Sequence, residues 1–87
     1  DLGSRLNAIY ALGGSDAFVL EYDVNEMFAA HDIPLKNLRL KPDTVIAMII
    51  RKGKTIIPRG NDYIAEGDKV VVVTKQKGLD GINEVLE

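Results

Sequence analysis

The sequence predicts a small α+β domain of two layers. One mixed or antiparallel sheet of four or five strands would carry a short connecting helix and a C-terminal helix on one side. Three features support this fold class. A length of 87 residues allows a single domain. Five apolar runs have the length of strands and are separated by turn signals. The last ten residues instead space their apolar side chains as a helix does.

The first two predicted strands form a hairpin. "RLNAIYAL" (Arg5–Leu12) is mostly apolar and compatible with a strand. "AFVLEYDV" (Ala17–Val24) alternates apolar residues with Glu21 and Asp23, which indicates a half-buried strand. The intervening "GGSD" is a turn signal, because its glycines tolerate positive φ.

A helical connection is predicted next. Asn25 can cap a short turn over Glu26–Ala30, and Pro34 suits the first position of a second short helix over Pro34–Leu38. The three-residue spacing of Leu35 and Leu38 would turn both inward.

Three further strands follow. "TVIAMIIR" (Thr44–Arg51) is apolar on both faces, which favours an inner strand. Lys52 and Gly53 predict a tight turn into the return strand Lys54–Pro58. "KVVVVT" (Lys69–Thr74) predicts a buried strand. The cations around the tight turn, Arg51, Lys52 and Lys54, are expected to be mostly solvated and to discourage edge pairing.

The predicted C-terminal helix covers "GLDGINEVLE". Gly78 and Gly81 weaken it by roughly 1 kcal/mol each relative to alanine, so it should depend on docking to the sheet. Its apolar face would consist of Leu79, Ile82, Val85 and Leu86.

Composition excludes several classes of protein. The chain has no cysteine, so no disulfide, thiolate metal site or cysteine nucleophile is available. No apolar run approaches the roughly 18–20 residues that span a bilayer, which argues against direct membrane insertion. The first residues lack the pattern of a signal peptide. We expect residues 1–4 to be a linker or a cloning remnant and residues 5–87 to be the domain.

The charge is unevenly distributed along the chain. The net charge of −2 argues against general nucleic-acid binding. Residues 1–35 carry a net −5, residues 36–59 a net +6 and residues 60–87 a net −3. Either the basic middle pairs with the acidic flanks, or it presents a concentrated positive field to an anionic ligand or partner.

Motifs for catalysis and metal binding are weak. His31 beside Asp32 is a single pair, not a triad, and no serine has a visible base. One histidine and scattered carboxylates do not give the spacing of a metal site, so none is expected. Neither the dinucleotide-binding nor the P-loop glycine motif is present. The sequence therefore predicts a protein that is not an enzyme.

With these elements placed, the chain resembles the C-terminal domain of TrkA-type regulators of potassium transport, the second half of an RCK (regulator of potassium conductance) subunit. "ALGGSDAFVLEYDV" is similar to the entry of that family, and "IPLKNLRL" to its leucine-rich segment. "TVIAMIIRKGKTIIPRGNDYIAEGDKVVVV" resembles its most recognisable part, an apolar strand ending in Arg-x-Gly, an I-x-P strand end, Gly-Asp and a valine-rich strand. The resemblance covers about residues 6–86.

The resemblance implies a ligand-sensing and dimerisation module. An N-terminal Rossmann-type domain would precede it in the full-length chain, and the assembly would gate a membrane-embedded potassium transporter or channel subunit. The domain would then be cytoplasmic, held at the inner face of the cell membrane through that partner, and would form a homodimer.

Similar domains in some bacteria bind cyclic di-AMP across the dimer interface, so the resemblance implies a nucleotide ligand of this kind and no required cofactor. Arg39 and Lys41 would then meet phosphate, as Arg does well in charge-assisted contacts. The resemblance places the candidate ligand contacts at Leu38, Arg39, Lys41, Thr44, Val45, Ile57, Pro58 and Arg59.

Two alternatives remain at this point. The domain could be a purely structural dimerisation or docking module, or the appended regulatory tail of another cation transporter or antiporter.

Overall fold

The computed structural model describes residues 3–87, which form one five-stranded antiparallel sheet with almost no helix. The order across the sheet is β1-β2-β5-β3-β4, and every neighbouring pair is antiparallel. Its strands are β1 (Ser4–Ala11), β2 (Phe18–Val24), β3 (Thr44–Arg51), β4 (Lys54–Ile56) and β5 (Lys69–Thr74). The predicted strands and the β1–β2 hairpin are therefore confirmed.

The core lies on one face of this sheet. The central strand β5 turns Val70 and Val72 into it, and both are fully buried. In β2 the same face carries Tyr22, which is opposite Val70 and also fully buried. The segments after β2, β4 and β5 cover this face of the sheet with Phe28, Ile64 and Ile82. Because the covering residues come from loops, the second layer is irregular.

The turn between β3 and β4 is the predicted two-residue turn. Lys52 has φ 51° and Gly53 has φ 78°. Two successive residues with positive φ fit a type I′ hairpin, whose twist matches that of its strands. Thr55 and Lys54 lie opposite Ile50 and Arg51 in the register that follows.

The predicted short helix over Glu26–Ala30 does not form, although Asn25 makes the predicted capping contact. Asn25 Oδ1 accepts a hydrogen bond from the Met27 N–H at 2.8 Å, which closes a turn and not a helix. The chain then folds back so that Phe28 and Ala30 are both buried. The Ala29 N–H donates to Asn83 Oδ1 at 2.8 Å, so the helical bond from this amide to the Asn25 carbonyl does not form.

The second predicted helix, Pro34–Leu38, is a single 3-10 turn over Leu35–Asn37. Leu35 and Leu38 both pack against the core, as the spacing indicated. Leu38 already has extended backbone angles, φ −86° and ψ 145°, so no α-helical turn is completed.

The C-terminal helix is also a wrong prediction, since only a 3-10 turn over Ile82–Val85 forms. Gly78 has φ 75°, outside the helical region, and Leu86 is extended and pairs with Leu40 in an isolated antiparallel bridge. The expected apolar side chains are nevertheless inside: Leu79, Ile82 and Val85 are buried and Leu86 is partly buried.

The N-terminal boundary was placed after residue 4, and that boundary stays a prediction. Ser4 lies in β1, and its Oγ accepts a hydrogen bond from the Ile82 N–H at 2.9 Å. Asp1 and Leu2 lie outside the described residues. No helix within residues 3–87 is long and apolar enough to cross a membrane.

Candidate anion-binding groove

A shallow groove of about 320 Å³ opens beside the start of β3. Three chain segments meet there: the first 3-10 turn, the first residues of β3, and the loop after β4. The lining residues are Leu35, Lys36, Leu40, Thr44, Val45, Ile46, Pro58, Arg59 and Gly60. The floor is therefore apolar, and two cationic side chains stand at its rim.

Hydrogen bonds hold the first 3-10 turn to the loop after β4 and fix that loop. The Leu35 N–H donates to the Asp62 carbonyl at 2.8 Å, and the Lys36 N–H donates to the Gly60 carbonyl at 3.0 Å. The Arg59 N–H donates to Asp62 Oδ2 at 2.7 Å. These bonds bring Lys36 and Arg59 to the same groove although they lie 23 positions apart in the chain.

The β3 end of the groove is fixed by hydroxyl groups. The Thr44 hydroxyl donates to the Pro42 carbonyl at 3.1 Å, and its oxygen lies 2.7 Å from that of the buried Thr74. Since Thr44 is engaged in this way, it serves to position the next residue. That residue, Val45, is 58% exposed and gives the groove an open apolar wall.

Most of the basic middle forms no ion pair with the acidic flanks within residues 3–87. Of the seven cationic residues between positions 36 and 59, Arg51 alone forms an ion pair within residues 3–87. Lys36, Arg39 and Arg59 are exposed, and Lys41 is half-buried. Their charges therefore face the solvent near the groove, and a contact with an anionic ligand or partner stays a prediction.

The predicted site residues divide into two sets. Thr44, Val45, Pro58 and Arg59 line the groove together. The other four, Leu38, Arg39, Lys41 and Ile57, are not among the residues that line it.

The second set has other surroundings. Leu38 packs against the core, and Ile57 is 68% exposed. The backbones of Arg39 and Lys41 pair with the C-terminal residues: the Glu87 N–H donates to the Arg39 carbonyl at 2.8 Å, and the Lys41 N–H donates to the Val85 carbonyl at 2.9 Å.

Sequence reasoning missed five groove residues, namely Leu35, Lys36, Leu40, Ile46 and Gly60. Lys36 belongs to the same basic segment as Arg39, so the charge pattern included it. The position of Lys36 on the rim depends on the contact between the 3-10 turn and Gly60, and no sequence motif predicts that contact.

A second cavity, of about 330 Å³, lies where Arg51, Tyr63 and Asp68 meet. Arg51 Nη2 donates to the Tyr63 carbonyl at 2.8 Å, and its guanidinium carbon stands 4.5 Å from the centre of the Tyr63 ring. The pKa of Arg51 is raised above its ordinary value, chiefly by its hydrogen bond to Asp68. The expectation that Arg51 would be mostly solvated is therefore wrong, and this cation is used within the fold.

His31 is occupied by local contacts. Its Nε2 lies 3.1 Å from the Asn25 carbonyl oxygen, and its ring meets that of Phe28 edge-on with centroids 5.6 Å apart. Among residues 3–87 no three histidine, cysteine, aspartate or glutamate side chains lie close enough to hold a metal ion.

Comparison with solved structures places the fold in the RCK class. A structure described as an RCK domain with cda superimposes with a TM-score of 0.58 at 28% sequence identity, covering 79% of this chain and 97% of that one. The similarity therefore extends over nearly all of the other domain.

The family follows from the sequence comparison. The model of the TrkA-C domain matches residues 19–86, and the chain belongs to that family. It is 31% identical over 71 residues to Trk system potassium uptake protein TrkA homolog 1 of Methanosarcina mazei, covering 82% of this chain and 16% of that protein. It is 29% identical over 72 residues to the TrkA homolog of Pyrococcus abyssi, covering 82% of this chain and 32% of that protein. The chain thus spans a third or less of the length of these relatives.

Proposed function

We propose that this chain is a regulatory, non-enzymatic domain of a potassium uptake system that senses a small anionic ligand in the groove beside β3. The observation that carries the proposal is the groove itself, with an apolar floor and two cations at its rim, Lys36 and Arg59, that form no ion pair within residues 3–87. Membership of the TrkA-C family supports the regulatory role and the link to potassium transport.

The chemistry of the groove favours a ligand with both bases and phosphates. Pro58 and Val45 offer apolar surface on which a planar base can lie. Arginine and lysine at the rim suit phosphate oxygens, because charge-assisted hydrogen bonds are about twice as strong as neutral ones. Arg39 and Lys41 would add to the same positive field from the adjoining segment.

Cyclic di-AMP is the ligand we propose, and we take the cda of the similar RCK structure to be this molecule. A groove of about 320 Å³ is at the low end of the roughly 300–1,000 Å³ typical of small-molecule sites. One copy of the chain would therefore enclose only part of a dinucleotide. A homodimer that joins two grooves would enclose the whole ligand.

In the full-length protein this domain would follow an N-terminal Rossmann-type domain. Ligand binding would alter the assembly and so gate a membrane-embedded potassium transporter or channel subunit. The domain would work in the cytoplasm, at the inner face of the membrane through that partner. Neither nucleic-acid binding nor direct membrane insertion is part of the proposal. The net charge is −2, and no helix within residues 3–87 is long and apolar enough to span a membrane.

Titration calorimetry with cyclic di-AMP, ADP and ATP tests the ligand proposal. We expect heat with cyclic di-AMP, and weaker binding for Lys36→Ala, Arg59→Ala, Arg39→Ala and Lys41→Ala. Lys54→Ala is the matched control, because Lys54 is an exposed cation in β4 and does not line the groove.

Absence of heat with all three nucleotides would overturn the ligand proposal and leave dimerisation standing. The domain would then be a structural dimerisation or docking module, the second candidate. Binding of another protein surface, and of no nucleotide, in the groove beside β3 would support that role. Transmembrane spans upstream of residue 1, instead of a Rossmann-type domain, would assign the chain to the tail of another cation transporter or antiporter.

A further inference from the structure

We propose that β1 is an interaction surface for a second copy of this chain, formed by antiparallel pairing of β1 with β1 of that copy around residues 8–11. β1 is an edge of the sheet, with β2 on one side and no strand of the described residues on the other. Alternate residues of an edge strand direct their N–H and C=O groups outward, where another extended strand can bond them.

The two edges of the sheet are built differently. β4 has only three residues, starts with Lys54 and is soon followed by Pro58, which cannot donate a ladder bond. Such short, charged edges resist pairing. β1 has eight residues, and after the irregularity between Leu6 and Ala8 its second half, "AIYA", is uncharged. The β4 edge therefore resists pairing with another strand, whereas the β1 edge is available for it.

The β1 edge also carries exposed apolar side chains. Ile9 is 56%, Tyr10 59% and Leu12 45% exposed. They are three of the eight large hydrophobic residues that are exposed in the described chain, and they fall within four consecutive positions. A cluster of this kind commonly marks a contact surface.

The residues of β1 are compatible with pairing to a second copy. Two antiparallel copies of β1 are related by a two-fold axis perpendicular to the sheet, which keeps equivalent faces on the same side. Tyr10 then lies opposite or diagonal to Tyr10 of the second copy, and Ile9 opposite or diagonal to Ile9 of the second copy. Residues 8–11 carry no charge, so no like charges meet across the axis.

Surfaces on both faces of β1 would continue across the axis. On the face of the sheet opposite the core, one apolar row crosses four strands through Tyr10, Val19, Val73 and Val45. On the core face, a cavity of about 250 Å³ opens between Ile9, Phe18 and the loop around Leu79. A neighbouring β1 would lengthen the row and extend the apolar wall of the cavity.

This contact goes beyond the proposed ligand groove and is separate from it. β2 and β5 lie between β1 and the β3 strand that lines the groove. The β1 pairing therefore needs no nucleotide. Four paired residues and a few side chains bury less than the roughly 800 Å² per partner of a standard interface, so we expect a weak dimer that depends on concentration.

Sedimentation velocity of the 87-residue chain without nucleotide, from about 10 µM to 1 mM, tests the proposal. We expect the weight-average mass to rise with concentration. The association should be at least roughly tenfold weaker for Tyr10→Lys, which loses the apolar contact and places two like charges near the axis. Met27→Lys is the matched control, since Met27 is 53% exposed and lies outside β1. It should dimerise as the unchanged chain does.

Two further measurements make the test specific to β1. An equimolar mixture of Tyr10→Lys and Tyr10→Glu should dimerise better than either variant alone, because opposite charges then face each other across the axis. In the unchanged chain, the outward-pointing amides between Ala8 and Ala11 should gain protection from hydrogen exchange as concentration rises. This last measurement needs no variant to fold.

A weight-average mass that stays constant over the whole range would overturn the proposal. So would a Tyr10→Lys variant that dimerises as well as Met27→Lys, or β1 amides whose exchange is independent of concentration. None of these outcomes bears on nucleotide binding, which calorimetry tests separately.

Discussion

Arg51 and Asp68 form a two-pronged ion pair that joins the end of β3 to the residue before β5. Arg51 Nε lies 2.9 Å from Asp68 Oδ1, and Nη2 lies 2.7 Å from Oδ2. Asp68 is only 1% exposed and also accepts a hydrogen bond from the Ala65 N–H at 2.8 Å. The pair thus fixes the loop that returns the chain from β4 to the centre of the sheet.

Asp68→Ala should lower the free energy of unfolding by about 3–5 kcal/mol, because it leaves a partly buried guanidinium and an amide without their acceptor. Urea denaturation measures this change. The control is Asp23→Ala, which breaks the ion pair with Arg5, a residue whose side chain is 80% exposed. Exposed pairs contribute less than about 1 kcal/mol, so equal losses in the two variants would contradict the structural role of Asp68.

Stability should fall in alkaline solution through Tyr22. Burial, and then the charges of Glu84 and Asp80, raise the pKa of Tyr22 from 10.0 to about 12. The unfolded chain releases this proton near pH 10, whereas the folded chain keeps it until near pH 12. The contribution is full below pH 10 and is lost between pH 10 and 12, by at most about 2–3 kcal/mol.

Tyr22→Phe isolates this effect from the titration of the lysines. The variant loses the hydrogen bond from the Tyr22 hydroxyl to the Leu79 carbonyl, at 3.3 Å, and about 1 kcal/mol with it. Its unfolding free energy should nevertheless decline less between pH 10 and 12 than that of the unchanged chain. Parallel declines in urea denaturation would show that Tyr22 does not titrate as expected.

Asn83 should contribute more to the stability of the fold than its partial exposure indicates. Its Oδ1 accepts from the Ala29 N–H at 2.8 Å, and its Nδ2 donates to the Met27 carbonyl at 3.0 Å, which holds the turn after β2 to the C-terminal segment. Asn83→Ala should cost about 1–2 kcal/mol and speed hydrogen exchange at the Ala29 amide. The exposed Asn61, changed to alanine, should do neither.

Lys52→Asn should stabilise the chain by about 0.5–1 kcal/mol, since asparagine tolerates positive φ and Asn-Gly is a preferred type I′ pair. Thermal denaturation gives the change. Lys54→Asn removes the same charge from β4, where asparagine is disfavoured, and should bring no gain. An equal rise in both variants would point to charge relief and not to the turn.

The candidate groove was only half predictable. Thr44, Val45, Pro58 and Arg59 came from the family resemblance and do lie together. Lys36 was missed, because its place opposite Arg59 depends on how the 3-10 turn packs against Gly60. The role of Arg51 was missed for a similar reason, since its partner Asp68 lies 17 residues away.

The sequence by itself determined the five strands, the tight turn at Lys52 and Gly53, and the side chains of the core. Period-two alternation, valine-rich runs and turn residues are local signals, and each is read within a few positions. The sequence resemblance also pointed to the family. Only the tertiary structure decided the conformation of the covering segments. There, buried residues such as Phe28 and Ile82 are held by distant partners like Asn83 and Ser4, and these contacts outweigh the weak local preference for a helix.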